Sequence, residues 1–181
     1  MNEGLIPKRY AKALFEYASE RGKADSLYRS MGTLETSFRD NPELQQTLDN
    51  PFIDDSQKEK LIATAAGSPA DDTVLADFLR LLARNKRLDM ARGAAIAYCD
   101  IYRKANKISL VTVTAAAPLD PEEEKRLKDI IARHLDGGTM EYTFALDPSL
   151  IGGFTIGINS ERLDASIKNE LKQLRLKLLS K

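Results

Sequence analysis

Residues 101–117 read IYRKANKISLVTVTAAA, and the period of the apolar residues changes inside this stretch. Up to Ala105 apolar side chains recur every three or four positions, as on helix faces. From Ile108 onward Val111, Val113 and Thr114 crowd into an extended, β-branched run. The polar hinge Lys104-Ala105-Asn106-Lys107 lies between. This predicts a mainly α chain with a small α+β part: a helical bundle over 1–105, then a smaller α/β domain over 106–181.

Working back from the hinge, six short helices account for the first half. The first, Leu5 to Arg21, tolerates Pro7 in its opening turn and ends at Gly22. It carries two apolar stripes, Tyr10, Leu14 and Tyr17 with Ala13 beside them, and Ala11, Phe15 and Ala18. An ordinary surface helix buries an arc of a little over 100°. This one is wider, so it is either central to its bundle or packs one stripe inward and holds the other for a partner.

The second helix, about Asp25 to Phe38, has the one-sided stripe Leu27, Met31, Leu34 and Phe38 that core packing explains fully. Asn41-Pro42-Glu43 starts a third through Leu44 and Leu48, and Asn50-Pro51 breaks it. Asp54, Asp55 and Ser56 open a fourth, closed by Gly67-Ser68-Pro69. Asp71 and Asp72 begin a fifth, TVLADFLRLLARN, again doubly striped: Val74, Phe78 and Leu81 beside Leu75, Leu79 and Leu82. The sixth, from about Leu88, presents Ala91, Ala94, Ala95, Tyr98, Ile101 and Tyr102, whose small members allow close approach.

Beyond the hinge the order reads βαββα. The first strand, Ile108 to Ala116, ends at Pro118, and Asp120-Pro121-Glu122-Glu123 opens a helix with cap, proline and acidic first turn together. Leu127, Ile130, Ile131 and Leu135 form its apolar face, and Gly137-Gly138 ends it. Met140, Tyr142, Phe144 and Leu146 alternate with Glu141, Thr143 and Ala145 as in a strand with one buried face. After the turn Asp147-Pro148-Ser149 comes a third strand, Ile151 to Ile158, whose paired glycines favour close backbone approach. From about Asp164 the chain reads as helical, with Ile167, Leu171, Leu174 and Leu178 spaced as a coiled-coil seam. Lys168, Lys172, Arg175, Lys177 and Lys181 make its outer face basic.

Composition narrows the function class. Over 181 residues Lys+Arg and Asp+Glu both total 27, so nothing in the net charge favours a nucleic-acid partner. The lone Cys99 cannot form an internal disulfide, fits a reducing compartment and falls among apolar helix residues. The opening MNEGLIPKRYAKALF has no continuous apolar core after its basic residues, so no signal peptide is expected. No segment approaches the roughly 20 apolar residues of a membrane span, so no direct membrane insertion is expected. Glu122, Glu123 and Glu124 sit where the helix dipole favours acid, and His134 sits where it favours base. No second His or clustered Cys makes a zinc site with them. No catalytic, metal or cofactor site is therefore expected.

Four segments resemble one family, and together they run nearly end to end. They are RYAKALFEYA at Arg9 to Ala18, FLRLLARNKRL at Phe78 to Leu88, VTVTAAAPL at Val111 to Leu119, and LIGGFTIGINSERLDASIKNELKQL at Leu150 to Leu174. These resemble the delta subunit of bacterial F-type ATP synthases, the family of the mitochondrial oligomycin-sensitivity-conferring protein. The resemblance implies a non-catalytic stator subunit of the peripheral stalk in a proton-translocating ATP synthase. Such a subunit would sit peripherally on the cytoplasmic face of the bacterial plasma membrane. It would link the alpha subunits of the catalytic head to the C-terminal part of the b subunit, so that the head does not rotate.

In that family the alpha N-terminal helices occupy a groove between the first and fifth helices. Carried onto this chain, that implies alpha-facing contacts by Tyr10, Ala13, Leu14, Tyr17, Phe78, Leu79 and Leu82. It implies b-facing contacts by Phe154, Ile156, Ile167, Leu171 and Leu174, with Gly152, Gly153 and Asp164 architectural. Without the resemblance, the same two surfaces would suit a helical adaptor of an unrelated complex. A small enzyme would need Cys99, His134 and the acidic residues grouped, and nothing in the sequence groups them.

Overall fold

A computed structural model describes residues 4–68, 73–135, 138–159 and 161–179. The expected turn and cap residues Pro69, Asp71, Asp72 and Gly137, and the basic Lys181, lie outside the described residues. The chain divides into two compact units, Met1–Arg103 and Lys104–Lys181.

The first unit is helical: α1 (Leu5–Glu20), α2 (Ala24–Asp40), α3 (Glu43–Asp49), α4 (Asp55–Ala65), α5 (Thr73–Arg84) and α6 (Ala91–Ala105), the last preceded by a 3₁₀ turn at Leu88–Met90. Helix α6 runs two residues into what the sequence reads as the hinge, and Lys107 at φ +53° makes the turn into the sheet. Gly22 ends α1 at φ +64°. There the Lys23 N–H reaches the Ala18 carbonyl and the Gly22 N–H that of Ser19, which satisfies carbonyls a helix end otherwise orphans.

Tyr98 of α6 is fully buried and donates to the Ala24 carbonyl at 3.0 Å. Phe15 of α1 meets the rings of Tyr98 and Tyr102 edge-on. Gly93 lets α6 close on α1, since a Cβ there would stand 3.1 Å from the Pro7 ring. These contacts turn the Ala11, Phe15 and Ala18 stripe inward, and Ala11 and Ala18 are wholly buried.

The second unit is a four-stranded sheet with helices. Its elements are β1 (Ile108–Ala115), α7 (Pro121–His134), β2 (Thr139–Leu146), β3 (Gly153–Ile158), β4 (Glu161–Ser166) and α8 (Ile167–Leu179). The strand order is β2-β1-β3-β4, with β1 parallel to β2 and both later pairs antiparallel. A parallel pair needs a crossover, and α7 supplies it. A capping box fixes its start: Asp120 accepts from the Glu122 and Glu123 N–H groups, and the Glu123 carboxylate accepts from the Asp120 N–H.

Ile131 of α7 packs on Val111, Val113 and Ile156, with Leu127, Met140, Tyr142 and Phe144 around them. Neighbouring strands lie about 4.8 Å apart, while one helix is about 10 Å wide. A single helix therefore covers only about half of a four-stranded face.

Strand β4 corrects the sequence reading, which has three strands and a helix from about Asp164. The segment Glu161–Ser166 is extended and α8 begins only at Ile167. Five of its six residues are exposed on an edge strand, so no run of large apolar residues marked it.

Candidate partner-binding surfaces

Helices α1 and α5 leave a shallow apolar groove between them. Tyr10, Ala13, Leu14 and Tyr17 form one wall and Asp77, Phe78 and Leu81 the other, around a volume of about 360 Å³. Two hydrogen bonds bracket it, one between the helices and one from Asn85, the residue after α5. At one end the Tyr17 hydroxyl donates to Asp77 Oδ2 at 2.9 Å. At the other, Asn85 Nδ2 donates to the Tyr10 hydroxyl at 3.1 Å. Arg80 pairs with Asp77 at 3.2 Å, and the Arg21 guanidinium lies 4.3 Å from the Tyr17 ring centre. The Tyr17 phenol is pushed above its ordinary value, first by its hydrogen bond to Asp77 and then by partial loss of water.

Five of the seven residues expected on this surface line it, and two do not. Leu79 and Leu82 are 2% and 0% exposed and belong to the bundle core. The two stripes of α5 are offset by one residue, hence by about 100° around the axis; Leu75, Leu79 and Leu82 face inward, and of the other stripe Val74 and Phe78 are also covered, so that only Leu81 stands well open. Beside the expected Phe78 the groove takes Leu81, which remains 44% exposed. Asp77 was missed as well. Its signal is faint: the one acid of a helix that also carries Arg80 and Arg84, one turn before Leu81.

In the second unit the five stalk-side candidates divide. Ile156 is buried in the sheet core beneath Ile131, and Phe154 packs half-buried against the same cluster. Both are accounted for within the unit. Ile167, Leu171 and Leu174 stand open on α8, which buries none of its own residues. Leu178 continues their line and is 69% exposed. A second opening of about 440 Å³ lies beside α7 over β3 and β4, lined by Ile130, Ile158, Leu163 and His134 among others. Ile130 belongs to the apolar helix face that the sequence shows, whereas Leu163 lies on an exposed edge strand that no periodicity marks.

The glycine pair and Asp164 join β3, β4 and α8. A Cβ on Gly152 would meet Ile167 Cδ1 at 2.5 Å, and the Ile167 N–H donates to the Gly152 carbonyl at 3.0 Å. Gly153 sits at φ +72°, and a Cβ there would run into the Ala165 carbonyl oxygen. Asp164 Oδ1 accepts from the Ser166 hydroxyl at 2.6 Å, and Ser166 Oγ accepts from the Asn169 N–H at 3.2 Å. Asp164 thus orients the residue that caps α8. These hydrogen bonds hold the Asp164 carboxyl below its ordinary range.

Among the described residues no three His, Cys, Asp or Glu side chains gather as a metal site, and no helix is long and apolar enough to cross a membrane. Cys99 is buried in α6. Glu122 and Glu124 pair along α7 with Arg126 and Lys128. What the geometry offers is apolar surface left open on both units.

Residues 6–178 match the family described as ATP synthase delta (OSCP) subunit. An ATP synthase subunit delta of Bacteroides thetaiotaomicron is 39% identical over 182 aligned positions, covering 100% of this chain and 97% of that one. One of Phocaeicola vulgatus is 37% identical, covering 98% and 96%. In fold, the chain is similar to one chain of the Toxoplasma gondii mitochondrial ATP synthase hexamer. The TM-score is 0.73 at 22% identity, covering 96% of this chain and 97% of that one.

Proposed function

The chain belongs to the ATP synthase delta (OSCP) subunit family, a non-catalytic component of the peripheral stalk, and from this we propose which surface meets which partner. The groove between α1 and α5 holds an N-terminal helix of an alpha subunit of the catalytic head. The second unit holds the C-terminal part of the b subunit. The link works on the cytoplasmic face of the bacterial plasma membrane and keeps the head from turning.

One observation carries the alpha assignment: an apolar groove bracketed at both ends by tyrosine hydrogen bonds. Tyr10 to Tyr17 spans seven residues, about 10 Å of helix, which matches two turns of a docked amphipathic helix with anchors at i, i+3 or i+4, and i+7. A stator carries torque without bond chemistry, so it must hold through buried contact. Nanomolar holding corresponds to about 12 kcal/mol, and a few apolar and aromatic anchors supply most of such a sum. Tyr10, Leu14, Tyr17, Phe78 and Leu81 are of the types that do so.

Calorimetry of the full chain with a synthetic alpha N-terminal peptide tests the first contact, with Tyr10→Asp expected to weaken it. Reconstitution tests the whole link. Stripped catalytic heads should re-attach to membranes carrying the b subunit only when this chain is added. Re-attachment without it, or an alpha peptide indifferent to Tyr10→Asp, would overturn the reading.

A further inference from the structure

The last two turns of α6 are tied to the start of α2 by a set of side chains at the edge of the first unit. Tyr98 donates to the Ala24 carbonyl at 3.0 Å, and one turn on the Tyr102 hydroxyl donates to Asp25 Oδ1 at 3.1 Å. The Tyr102 and Tyr28 rings stack with centres 4.3 Å apart and planes 13° from parallel. Arg103 closes the set. Its Nε donates to the Tyr28 hydroxyl at 2.9 Å, its guanidinium pairs with Asp100 at 3.6 Å, and its side chain is 18% exposed. The first unit ends at this residue, and Lys104, Ala105, Asn106 and Lys107 beyond it are all exposed. Lys107, at φ +53°, turns the chain into β1.

A helix end ordinarily frays, because its last carbonyls have no partner within the helix. Here the last turn is held from the side. We propose that the Tyr28, Tyr102 and Arg103 stack is a latch that keeps the final turn of α6 formed and seated on α2 up to Arg103, and so confines bending of the connection to residues 104–107. The inference goes beyond the assignment of partners and does not rest on it. The chain passes from the first unit to the second only through this segment, so in a stator subunit any load carried along the chain reaches the bundle at the end of α6. With that end held by α2, the load is shared by a second helix instead of unwinding the first from its terminus. Arginine suits the position: one planar fork serves a hydroxyl and a carboxylate together, whereas a lysine ammonium on its flexible stem fixes neither ring nor helix end as firmly.

Hydrogen exchange and a spin-label pair, both in the full chain, test the latch. The amides of Tyr102 to Ala105 should exchange about tenfold faster in Tyr28→Ala and about threefold faster in Arg103→Lys than in the native chain, while those of Ala94 to Tyr98 keep their native rates. Nitroxides on Thr36→Cys in α2 and Lys104→Cys, both exposed positions, report how firmly the end of α6 sits on α2. Cys99 is buried and stays unlabelled. Their distance distribution should be narrow without further substitution and broaden in Tyr28→Ala. A broad distribution from the start, or exchange at Tyr102 to Ala105 as fast as at Asn106 and Lys107, overturns the inference. If Tyr28→Ala speeds exchange throughout α6, the ring serves the core as a whole and Arg103→Lys, which leaves both rings in place, decides. Native exchange at Tyr102 to Ala105 in that variant overturns the latch, and faster exchange confined to those amides supports it.

Discussion

The Tyr17 hydroxyl and the Asp77 carboxylate meet at 2.9 Å across the gap between α1 and α5, sixty residues apart in sequence. The bond closes one end of the groove and sets the spacing of its walls. It also ties that spacing to the protonation of a phenol. In the unfolded chain Tyr17 ionises near 10.0; in the folded chain it does so at higher pH. The contribution of the bond is therefore complete below about pH 10 and is lost as pH rises through the raised folded value. Urea denaturation of the native chain and Tyr17→Phe should show a constant gap at neutral pH that closes in alkali. A gap unchanged at about pH 12 would separate the bond from groove stability.

The two stripes of α5 should respond oppositely to charge. Leu81→Asp places a carboxylate on the exposed groove wall and should weaken the alpha peptide with little change in the melting temperature. Leu79→Asp places one in the core and should cost about 3 kcal/mol or more, loosening the bundle itself. Thermal melts run beside the peptide titrations distinguish the two, and equal melting temperatures for both variants would contradict the assignment of inward and outward faces.

Ser166→Ala removes the acceptor for the Asn169 N–H and should cost about 1 kcal/mol, seen as fraying of α8 in circular dichroism. Acid should act on the same cap. The Asp164 carboxyl titrates below its ordinary 3.8 because the Ser166 hydroxyl, then its N–H, donates to it. Its contribution is whole above that ordinary value and disappears as pH falls through the lower folded one. Helix loss in that acid range should be smaller in Asp164→Ala, which has no carboxyl left to protonate.

The adjacent glycines should differ in tolerance. Gly153→Ala needs a left-handed backbone and meets the Ala165 carbonyl, which cannot move without breaking the β3–β4 pairing; a loss of about 2 kcal/mol or more is expected. Gly152→Ala meets the Ile167 side chain alone, Cδ1 at 2.5 Å and Cγ1 at 3.2 Å, and not backbone, so a side-chain shift can relieve it and a smaller loss of about 1 kcal/mol is expected. Denaturant unfolding of the two variants orders them, and a reversed order would mean that the close approach at Gly152 is the rigid one.

The sequence by itself determined what local rules decide. The change of period within Ile101–Ala117 lies where α6 gives way to β1, and the Asp120-Pro121 cap opens α7 where its pattern requires. The double stripes of α1 and α5 and the seam of α8 were equally legible, because a period of 3.6 fixes the angle between side chains on one helix. Which stripe looks inward was a different matter. That depends on where the neighbouring helices lie, so only the tertiary structure sent Leu79 and Leu82 to the core and left Leu81 and Asp77 at the groove. Ile156 went inward for the same reason, under Ile131. Strand β4 was decided by its backbone pairing with β3 rather than by its side chains, and pairing between strands leaves no periodic trace when the strand is exposed.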